Sequence, residues 1–179
     1  MNPAPNLVLV GPMGAGKTSI GKRLATRLQL EFVDVDQRLE QLVGASVPTI
    51  FELEGEAGFR AREAQLVAEL LLDGGRVIAT GGGAVLRKES REQLQHWGFV
   101  VYLRIGIEQQ LERLARDHSR PLLAEGDRRA KFESLAAIRN PLYEQIADLV
   151  FDCDDLGVDP AAARLCAAVQ AQWQREDAA

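Results

Sequence analysis

A phosphate-binding pattern lies near the amino terminus, where residues 11–18 read Gly-Pro-Met-Gly-Ala-Gly-Lys-Thr. The pattern G-x-x-x-x-G-K-[ST] stands between a short apolar run, Leu7–Val10, and a helix-period segment that begins near Ile20. Its glycines allow backbone N–H groups to surround a phosphate, and the next helix adds free N–H groups and the positive end of its dipole. The alternative is a glycine-rich turn that caps an ordinary helix, which the eight-residue match in this context disfavours.

The loop therefore predicts binding of a nucleoside triphosphate together with Mg²⁺. The side chain of Lys17 can reach the β- and γ-phosphates as a mobile point charge, and the hydroxyl of Thr18 is a ligand for Mg²⁺. The residues expected to contact the nucleotide at this loop are Gly14, Ala15, Gly16, Lys17, Thr18 and Ser19.

Two carboxylates, Asp34 and Asp36, stand at the end of the second apolar run. If residues 32–36 form a strand, side chains two apart point to the same side. Carboxylates inside a parallel strand are destabilising, whereas beside phosphate and Mg²⁺ one can hold a metal-bound water and the other can accept the proton of an attacking hydroxyl. The alternative, that they cap the next helix, remains open, and it could hold for Asp36 and leave Asp34 functional.

Three consecutive glycines, Gly81–Gly83, directly follow the third apolar run, Val77–Thr80. Such a run carries a large entropic cost unless a bare backbone is needed, and close approach of a ligand is the usual reason. The backbone N–H groups could then bind a hydroxyl or a carboxylate. A simple flexible turn is the alternative.

Three arginines stand in segments that local patterns explain in ordinary ways. Arg60 can pair on a helix surface with Glu56 four residues before it, and Glu63 lies three residues after it. Arg120 stands in an irregular segment that is either a mobile loop acting on phosphate or a solvated basic loop. Arg139, before a proline, could merely complement the dipole at the end of a helix.

Composition limits the classes of protein to which the chain can belong. With 179 residues and 46% hydrophobic content, a single globular domain spanning residues 1–179 is expected. The formal net charge of -5 argues against a general nucleic-acid binder. Cys153 and Cys166 lack metal-ligand spacing, so neither a zinc site nor a disulfide is expected. No signal peptide or membrane span is evident, and a cytoplasmic location is expected.

Apolar runs alternate with helix-period segments, which predicts a mostly parallel sheet with helices on both faces. Ligands bind beyond the carboxyl ends of the strands in such sheets, so the features above should surround one crevice. The predicted strands are residues 7–10, 32–36, 77–80, 99–103 and 149–151. The predicted helices are residues 20–28, 38–43, 49–54, 56–72, 88–97, 107–116, 130–138, 142–147 and 160–173.

Taken together, these residues resemble the shikimate kinase family. The resemblance extends in order from about residue 7 to about residue 155. The triple glycine, the Gly-Phe-Arg sequence and the Arg-Pro-Leu-Leu sequence are more specific than the phosphate loop alone. The matching segments are residues 11–18, 32–36, 51–56, 58–60 with Glu63, 81–83, 120–123 and 139–143.

The resemblance implies a P-loop NTPase of the α/β class with a nucleoside-monophosphate-kinase-like fold. Three layers, α/β/α, would enclose a five-stranded parallel sheet in the order 2-3-1-4-5. A substrate-binding insertion is expected at about residues 36–63 and a lid at about residues 114–128. The implied reaction is transfer of the γ-phosphate of ATP to the 3-hydroxyl of shikimate, which gives shikimate 3-phosphate and ADP in aromatic amino acid biosynthesis.

The resemblance also implies roles on the phosphate side of the site. Lys17 would stabilise the transferring phosphate, Thr18 would coordinate Mg²⁺ directly, and Asp34 would hold a metal-bound water. Arg120 would reach the phosphates from the lid, and Arg113 would stack on adenine.

On the substrate side, Asp36 would bind shikimate hydroxyls and act as the base for the attacking one. Arg60 and Arg139 would grip the carboxylate, because guanidinium groups match a planar carboxylate better than an ammonium group does. The backbone at Gly81, Gly82 and Gly83 would assist them, and Glu63 would orient Arg60.

Two other kinds of function remain in view. Another small-molecule kinase of the same fold, such as a gluconate or nucleotide kinase, would share the phosphate loop. A non-catalytic module that uses ATP as a switch would not need the substrate-side arginines and the triple glycine. A monomer that binds neither nucleic acid nor membrane is expected.

Overall fold

The computed structural model describes residues 4–115 and 127–174. A five-stranded parallel sheet has the order β2-β3-β1-β4-β5, as the family resemblance implied. Its strands are β1 (Asn6–Val10), β2 (Glu31–Asp34), β3 (Arg76–Ala79), β4 (Gly98–Arg104) and β5 (Leu149–Asp152). The helices of the described residues are α1 (Lys17–Leu28), α2 (Val35–Val43), α3 (Val47–Leu72), α4 (Lys88–Trp97), α5 (Ile107–Arg113), α6 (Arg128–Ile146) and α7 (Val158–Gln172).

The central strand β1 is fully buried and separates two hydrophobic cores. Leu7 and Leu9 point to one face, where they pack with side chains of α1 and α7. Val8 and Val10 point to the other face, where they pack with side chains of α2, α3, α4 and α6. Because alternate residues serve opposite cores, the strand is apolar at every position of its Leu7–Val10 run, which is the pattern of a parallel strand covered on both sides.

The second strand is shorter than the sequence predicted. It ends at Asp34, and α2 begins at Val35, so Asp36 lies in the first helical turn. The Asp34 carboxylate accepts a hydrogen bond from the Gln37 N–H at 3.1 Å, which caps the helix. The prediction of a strand through residue 36 was therefore wrong, and the capping residue is Asp34 rather than Asp36.

The helix that carries Arg139 is also longer than predicted. A break between residues 138 and 142 was expected at Pro141, but α6 continues through it to Ile146. Packing explains this result, because Phe132, Tyr143 and Ile146 of α6 are all buried and hold both halves in one line. Arg139 is thus an interior residue of a helix, and the interpretation of a helix-terminal charge was wrong.

The predicted division of residues 49–72 into two helices is confirmed as a kink. The backbone of α3 leaves the helical region at Gly55, where φ is 71° and ψ is 178°. Gly44 ends α2 in the left-handed conformation. None of the described helices is long and apolar enough to span a membrane.

Candidate active site

Two cavities meet at the carboxyl ends of β1, β2 and β3. One has a volume of about 470 Å³ and the other of about 520 Å³. This is the edge at which ligands bind in open parallel sheets. The residues that line both cavities are Met13, Thr18, Asp34, Asp36, Gly81 and Gly82.

The larger cavity contains the phosphate loop. Gly11, Gly14 and Gly16 have φ values of 142°, 81° and 91°, which side chains with a Cβ rarely adopt. The Lys17 ammonium donates to the carbonyl oxygens of Gly11 at 2.7 Å and Pro12 at 2.8 Å. The charge therefore lies across the loop that the sequence predicts to bind phosphate groups.

The remaining predicted residues of this loop differ in their exposure to the cavity. Gly14, Gly16, Thr18 and Ser19 line the larger cavity. Ala15 is fully buried and is not among the residues that line it. Gly16 is the N-cap of α1, so the positive end of that helix dipole faces the same cavity.

Arg113 lines the larger cavity near Leu156 and Val158. Its guanidinium donates to the carbonyl oxygens of Gly14 at 3.2 Å, Cys153 at 2.8 Å and Leu156 at 3.4 Å. These bonds fix a planar cation beside Leu156 and Val158, which line the cavity as well. A guanidinium held in this way can stack on a nucleobase, and the stacking of Arg113 on adenine stays a prediction.

Both cysteine side chains are inside the protein. Cys153 and Cys166 are buried and free thiols. Burial raises the pKa of the Cys153 thiol to about 12, so the side chain stays neutral.

A threonine and a carboxylate come together in the shared wall. The hydroxyl of Thr18 donates to Oδ2 of Asp34 at 2.5 Å, while Oδ1 of Asp34 caps α2. The Asp34 carboxylate thus accepts one hydrogen bond from a residue of α1 and one from a residue of α2. A hydroxyl and a carboxylate next to a phosphate loop form an oxygen donor set, which fits Mg²⁺.

Asp36 lines both cavities from the first turn of α2. A Cβ atom added to Gly81 would lie 3.1 Å from Oδ1 of Asp36, so the carboxylate packs against the glycine segment. Asp34 and Asp36 both reach the shared crevice, as predicted, although Asp36 does so from a helix. A carboxylate between the two cavities can accept a proton from a hydroxyl bound in one of them.

Arg60 and Glu63 form a buried ion pair at the smaller cavity. Nη1 of Arg60 donates to Oε2 of Glu63 at 2.6 Å, and the two side chains are 12% and 2% exposed. Glu56 contacts Arg60 only at 3.5 Å. The surface interpretation of Arg60 was therefore wrong. The neighbouring Arg62, by contrast, is 47% exposed and pairs with Glu54.

The triple glycine exists because charged side chains pack directly on its backbone. The guanidinium of Arg60 contacts Gly83 so closely that no Cβ would fit, and the Glu63 carboxylate does the same at Gly81. Gly82 would bring a Cβ to 3.5 Å from Nη1 of Arg139. A segment packed in this way is not a simple flexible turn.

Arg139 lies in the same cavity wall as Arg60. It is buried, with 6% of its surface exposed, and approaches the glycine segment from α6. The structure therefore brings two guanidinium groups to the glycines from different helices, which the spacing of residues in the sequence did not show. Two such groups match a carboxylate ligand.

Burial raises the pKa of Glu63, and the nearby charge of Asp36 raises it further. Arg60 and Arg139 act in the opposite direction, because a positive charge favours the ionised carboxylate. The net effect is a pKa above the ordinary value of 4.5.

Sequence reasoning missed two buried residues that hold the loops of the site. The Tyr143 hydroxyl donates to the carbonyl oxygen of Gly82 at 2.5 Å. Nε2 of Gln110 donates to the carbonyl oxygen of Met13 at 2.8 Å. Tyr143 lies one helical turn after Arg139, which was an available signal, whereas nothing local distinguished Gln110.

Arg120 lies outside the described residues, as does the predicted lid except for Leu114, Ala115, Asp127 and Arg128. The predicted insertion at residues 36–63 corresponds to most of α2 and the first part of α3. Both helices contribute residues to the smaller cavity.

Comparison with known proteins gives concordant matches over nearly the whole chain. A family model described as shikimate kinase matches residues 13–170. A shikimate kinase of Stenotrophomonas maltophilia is 54% identical over 177 residues, which are 99% of this chain and 98% of that relative. Another, of Xanthomonas euvesicatoria, is 54% identical over 174 residues, 97% of each chain. The solved structure of a shikimate kinase from Acinetobacter baumannii in complex with shikimate is 42% identical, with a TM-score of 0.90 and 94% of each chain covered.

Replacing Glu63 with glutamine tests the raised pKa. A carboxyl group whose pKa is raised by folding stabilises the folded state at low pH, and this contribution is lost as the pH rises through the folded pKa. The free energy of unfolding of the wild type minus that of Glu63→Gln should therefore fall as the pH increases from 4.5 to the raised pKa. Urea unfolding at pH values from about 5 to 8 measures it.

Glu56→Gln is the matched control, because Glu56 is exposed and contacts the same arginine at 3.5 Å. This variant should keep the pH dependence of the wild type. A difference between wild type and Glu63→Gln that stays flat or rises with pH would contradict the assignment.

Proposed function

This chain belongs to the shikimate kinase family, whose members are ATP-dependent kinases, and we propose that it transfers the γ-phosphate of ATP to the 3-hydroxyl of shikimate. The observation that carries the proposal is the junction of the two cavities. One contains the phosphate loop, the other contains Arg60 and Arg139, and the wall between them holds Asp36. The related Acinetobacter baumannii enzyme with shikimate bound supports the same substrate.

The smaller cavity would bind shikimate by its carboxylate. Arg60 and Arg139 supply two guanidinium groups at the same glycine segment, and backbone N–H groups of Gly81, Gly82 and Gly83 are at hand to complete the contact. The Nε atom of Arg60 lies 3.5 Å from Oε1 of Glu56 and makes no hydrogen bond among the described residues, so it can donate one to a ligand carboxylate. Holding the carboxylate at this end places the ring hydroxyls toward the phosphate side.

Asp36 would bind the ring hydroxyls and accept the proton of the attacking 3-hydroxyl. It is the carboxylate of the shared wall that lies beside the glycine segment rather than capping a helix. A base in hydrogen-bond reach of the nucleophile raises the rate of transfer because it removes the proton as the new bond forms.

Thr18 and Asp34 would hold Mg²⁺, Thr18 directly and Asp34 through a water molecule. Their oxygens are 2.5 Å apart in the shared wall, and both are ligand types that Mg²⁺ accepts together with phosphate oxygens. When bound, the ion neutralises negative charge on the phosphate groups.

Lys17 would stabilise the charge of the transferring phosphate, and Arg113 would stack on the adenine. Arg120 would act on the phosphates from the lid, a proposal that rests on the sequence alone. The monomeric state and the cytoplasmic location stay predictions from the sequence.

An assay of ADP release with a panel of acceptors tests the function. The wild type should turn over rapidly with ATP, Mg²⁺ and shikimate, and slowly with gluconate or nucleoside monophosphates. ATP alone should give negligible hydrolysis, and chelation of divalent ions should stop the reaction. Preferred turnover of gluconate or a monophosphate would instead identify a different small-molecule kinase, and no turnover with any acceptor would favour an ATP-dependent switch.

The variant Asp36→Asn should lower kcat by about 10²–10⁴-fold, because a general base contributes an effect of that size. ATP affinity should change little, since the phosphate loop is intact. Steady-state kinetics and calorimetric ATP binding measure the two effects. Asp159→Asn, an exposed carboxylate that pairs with Arg23, is the control and should behave as wild type. An unchanged kcat in Asp36→Asn would exclude Asp36 as the base.

The variant Arg139→Ala should raise the KM for shikimate by about a hundredfold, because it removes a buried charged partner of the carboxylate. The KM for ATP should stay near the wild-type value. Arg62→Ala is the matched control, since Arg62 is exposed and pairs with Glu54 away from both cavities. Equal increases in both KM values would place Arg139 on the nucleotide side.

A further inference from the structure

The glycine segment is held from α6 by a hydroxyl group outside the substrate cavity. Tyr143 is fully buried and does not line that cavity, whereas Gly81, Gly82 and Gly83 do. Its hydroxyl donates to the carbonyl oxygen of Gly82 at 2.5 Å. A tyrosine outside the substrate cavity thus contacts the glycine segment that lines the cavity.

The direction of this bond determines where the next amide points. The described residues contain no cis peptide bond, so the peptide between Gly82 and Gly83 is trans. In a trans peptide the C=O and N–H groups point in opposite directions. The Gly82 carbonyl points to Tyr143, and the Gly83 N–H therefore points away from it.

The surroundings of the two glycines show what the amide would meet. Gly83 packs against the guanidinium of Arg60, and a Cβ on Gly82 would lie 3.5 Å from Nη1 of Arg139. The peptide between them therefore lies between the two arginines. A free amide in this position is a third donor to a carboxylate that both arginines hold.

We propose that Tyr143 is a positioning residue that aims the Gly83 N–H at the carboxylate of the acceptor substrate. This inference rests on the proposed function and adds a residue to it. Arg139 and Tyr143 lie one turn apart on α6, so one rigid helix supplies a guanidinium and also sets the direction of the peptide beside it.

The chemical state of the tyrosine suits this role. Burial raises the pKa of Tyr143, whereas the charge of Arg139 and a hydrogen bond with that side chain lower it; burial has the larger effect, so the phenol keeps its proton and remains a donor. Its ring packs on that of Tyr102 with centroids 5.0 Å apart, which fixes the position of the hydroxyl.

The variant Tyr143→Phe removes the hydroxyl and keeps the ring. Its KM and dissociation constant for shikimate should rise about tenfold, as expected when a hydrogen bond is lost and the amide it orients is released. The KM for ATP should be unchanged. For an analogue in which a hydroxymethyl group replaces the carboxylate, the dissociation constants of variant and wild type should agree, because the charged group that the amide recognises is gone.

Tyr102→Phe is a matched control in the same ring pair. The Tyr102 hydroxyl is buried and has no hydrogen-bond partner among the described residues, so its removal should leave shikimate binding unchanged. Tyr143→Phe with an unchanged affinity for shikimate would overturn the proposal. A shikimate-induced shift of the Gly83 amide that is the same in Tyr143→Phe as in the wild type would also overturn it, because the loss of affinity would then act through Arg139, which interacts with the same hydroxyl. An equal loss for shikimate and the hydroxymethyl analogue would also overturn it, since the effect would then be general to the cavity.

A measurement on the wild type does not depend on how well any variant folds. With glycine labelled by ¹⁵N, the Gly83 amide proton should move downfield on titration with shikimate, and an unmoved resonance would refute the contact. Turnover of shikimate by the wild type tests the proposed function separately. A wild type that turns over shikimate while its Gly83 amide does not respond would reject the role of Tyr143 alone.

Discussion

Buried charges packed on bare backbone are the constraint on which the site depends. Arg60, Glu63 and Arg139 are nearly excluded from water, and each approaches the segment Gly81–Gly83. Removing an ion from water costs several kcal/mol unless a partner offsets it, so Arg60 needs Glu63. The glycines have no side chains because these groups already occupy the space that a Cβ would need.

The same arrangement keeps positive charge available for an anionic substrate. Glu63 balances Arg60 through one carboxylate oxygen, while Arg139 approaches the glycines from a separate helix. Two guanidinium groups then face a cavity whose other end is formed by Thr18 and Asp34. The end proposed to bind the carboxylate and the end proposed to bind phosphate are thereby separated within one crevice, which is the geometry that the proposed transfer to a ring hydroxyl requires.

The parallel sheet brings these ends together. Successive strands end at the same edge, so the connections after β1, β2 and β3 deliver the phosphate loop, the carboxylates and the glycines to one place. Hydrogen bonds from the helices then fix the positions of these groups. Asp34 caps α2 while it accepts the Thr18 hydroxyl, and Tyr143 of α6 holds Gly82. One carboxylate, Asp34, thus caps a helix through Oδ1 and contacts Thr18 through Oδ2.

The sequence alone determined the phosphate loop and the alternation of strands and helices, because these depend on local patterns. Motifs that keep their order along the chain carried the family resemblance, and the sheet order was implied by that resemblance. The sequence could not determine that Arg60 is buried, since an i,i+4 pair with Glu56 looks the same on an exposed helix. Nor could it show that α6 passes through Pro141, because packing of that helix outweighs the local preference of proline to end it. Only the tertiary structure placed Tyr143 behind Gly82, since residues 61 positions apart meet through the packing of α6 beside the sheet.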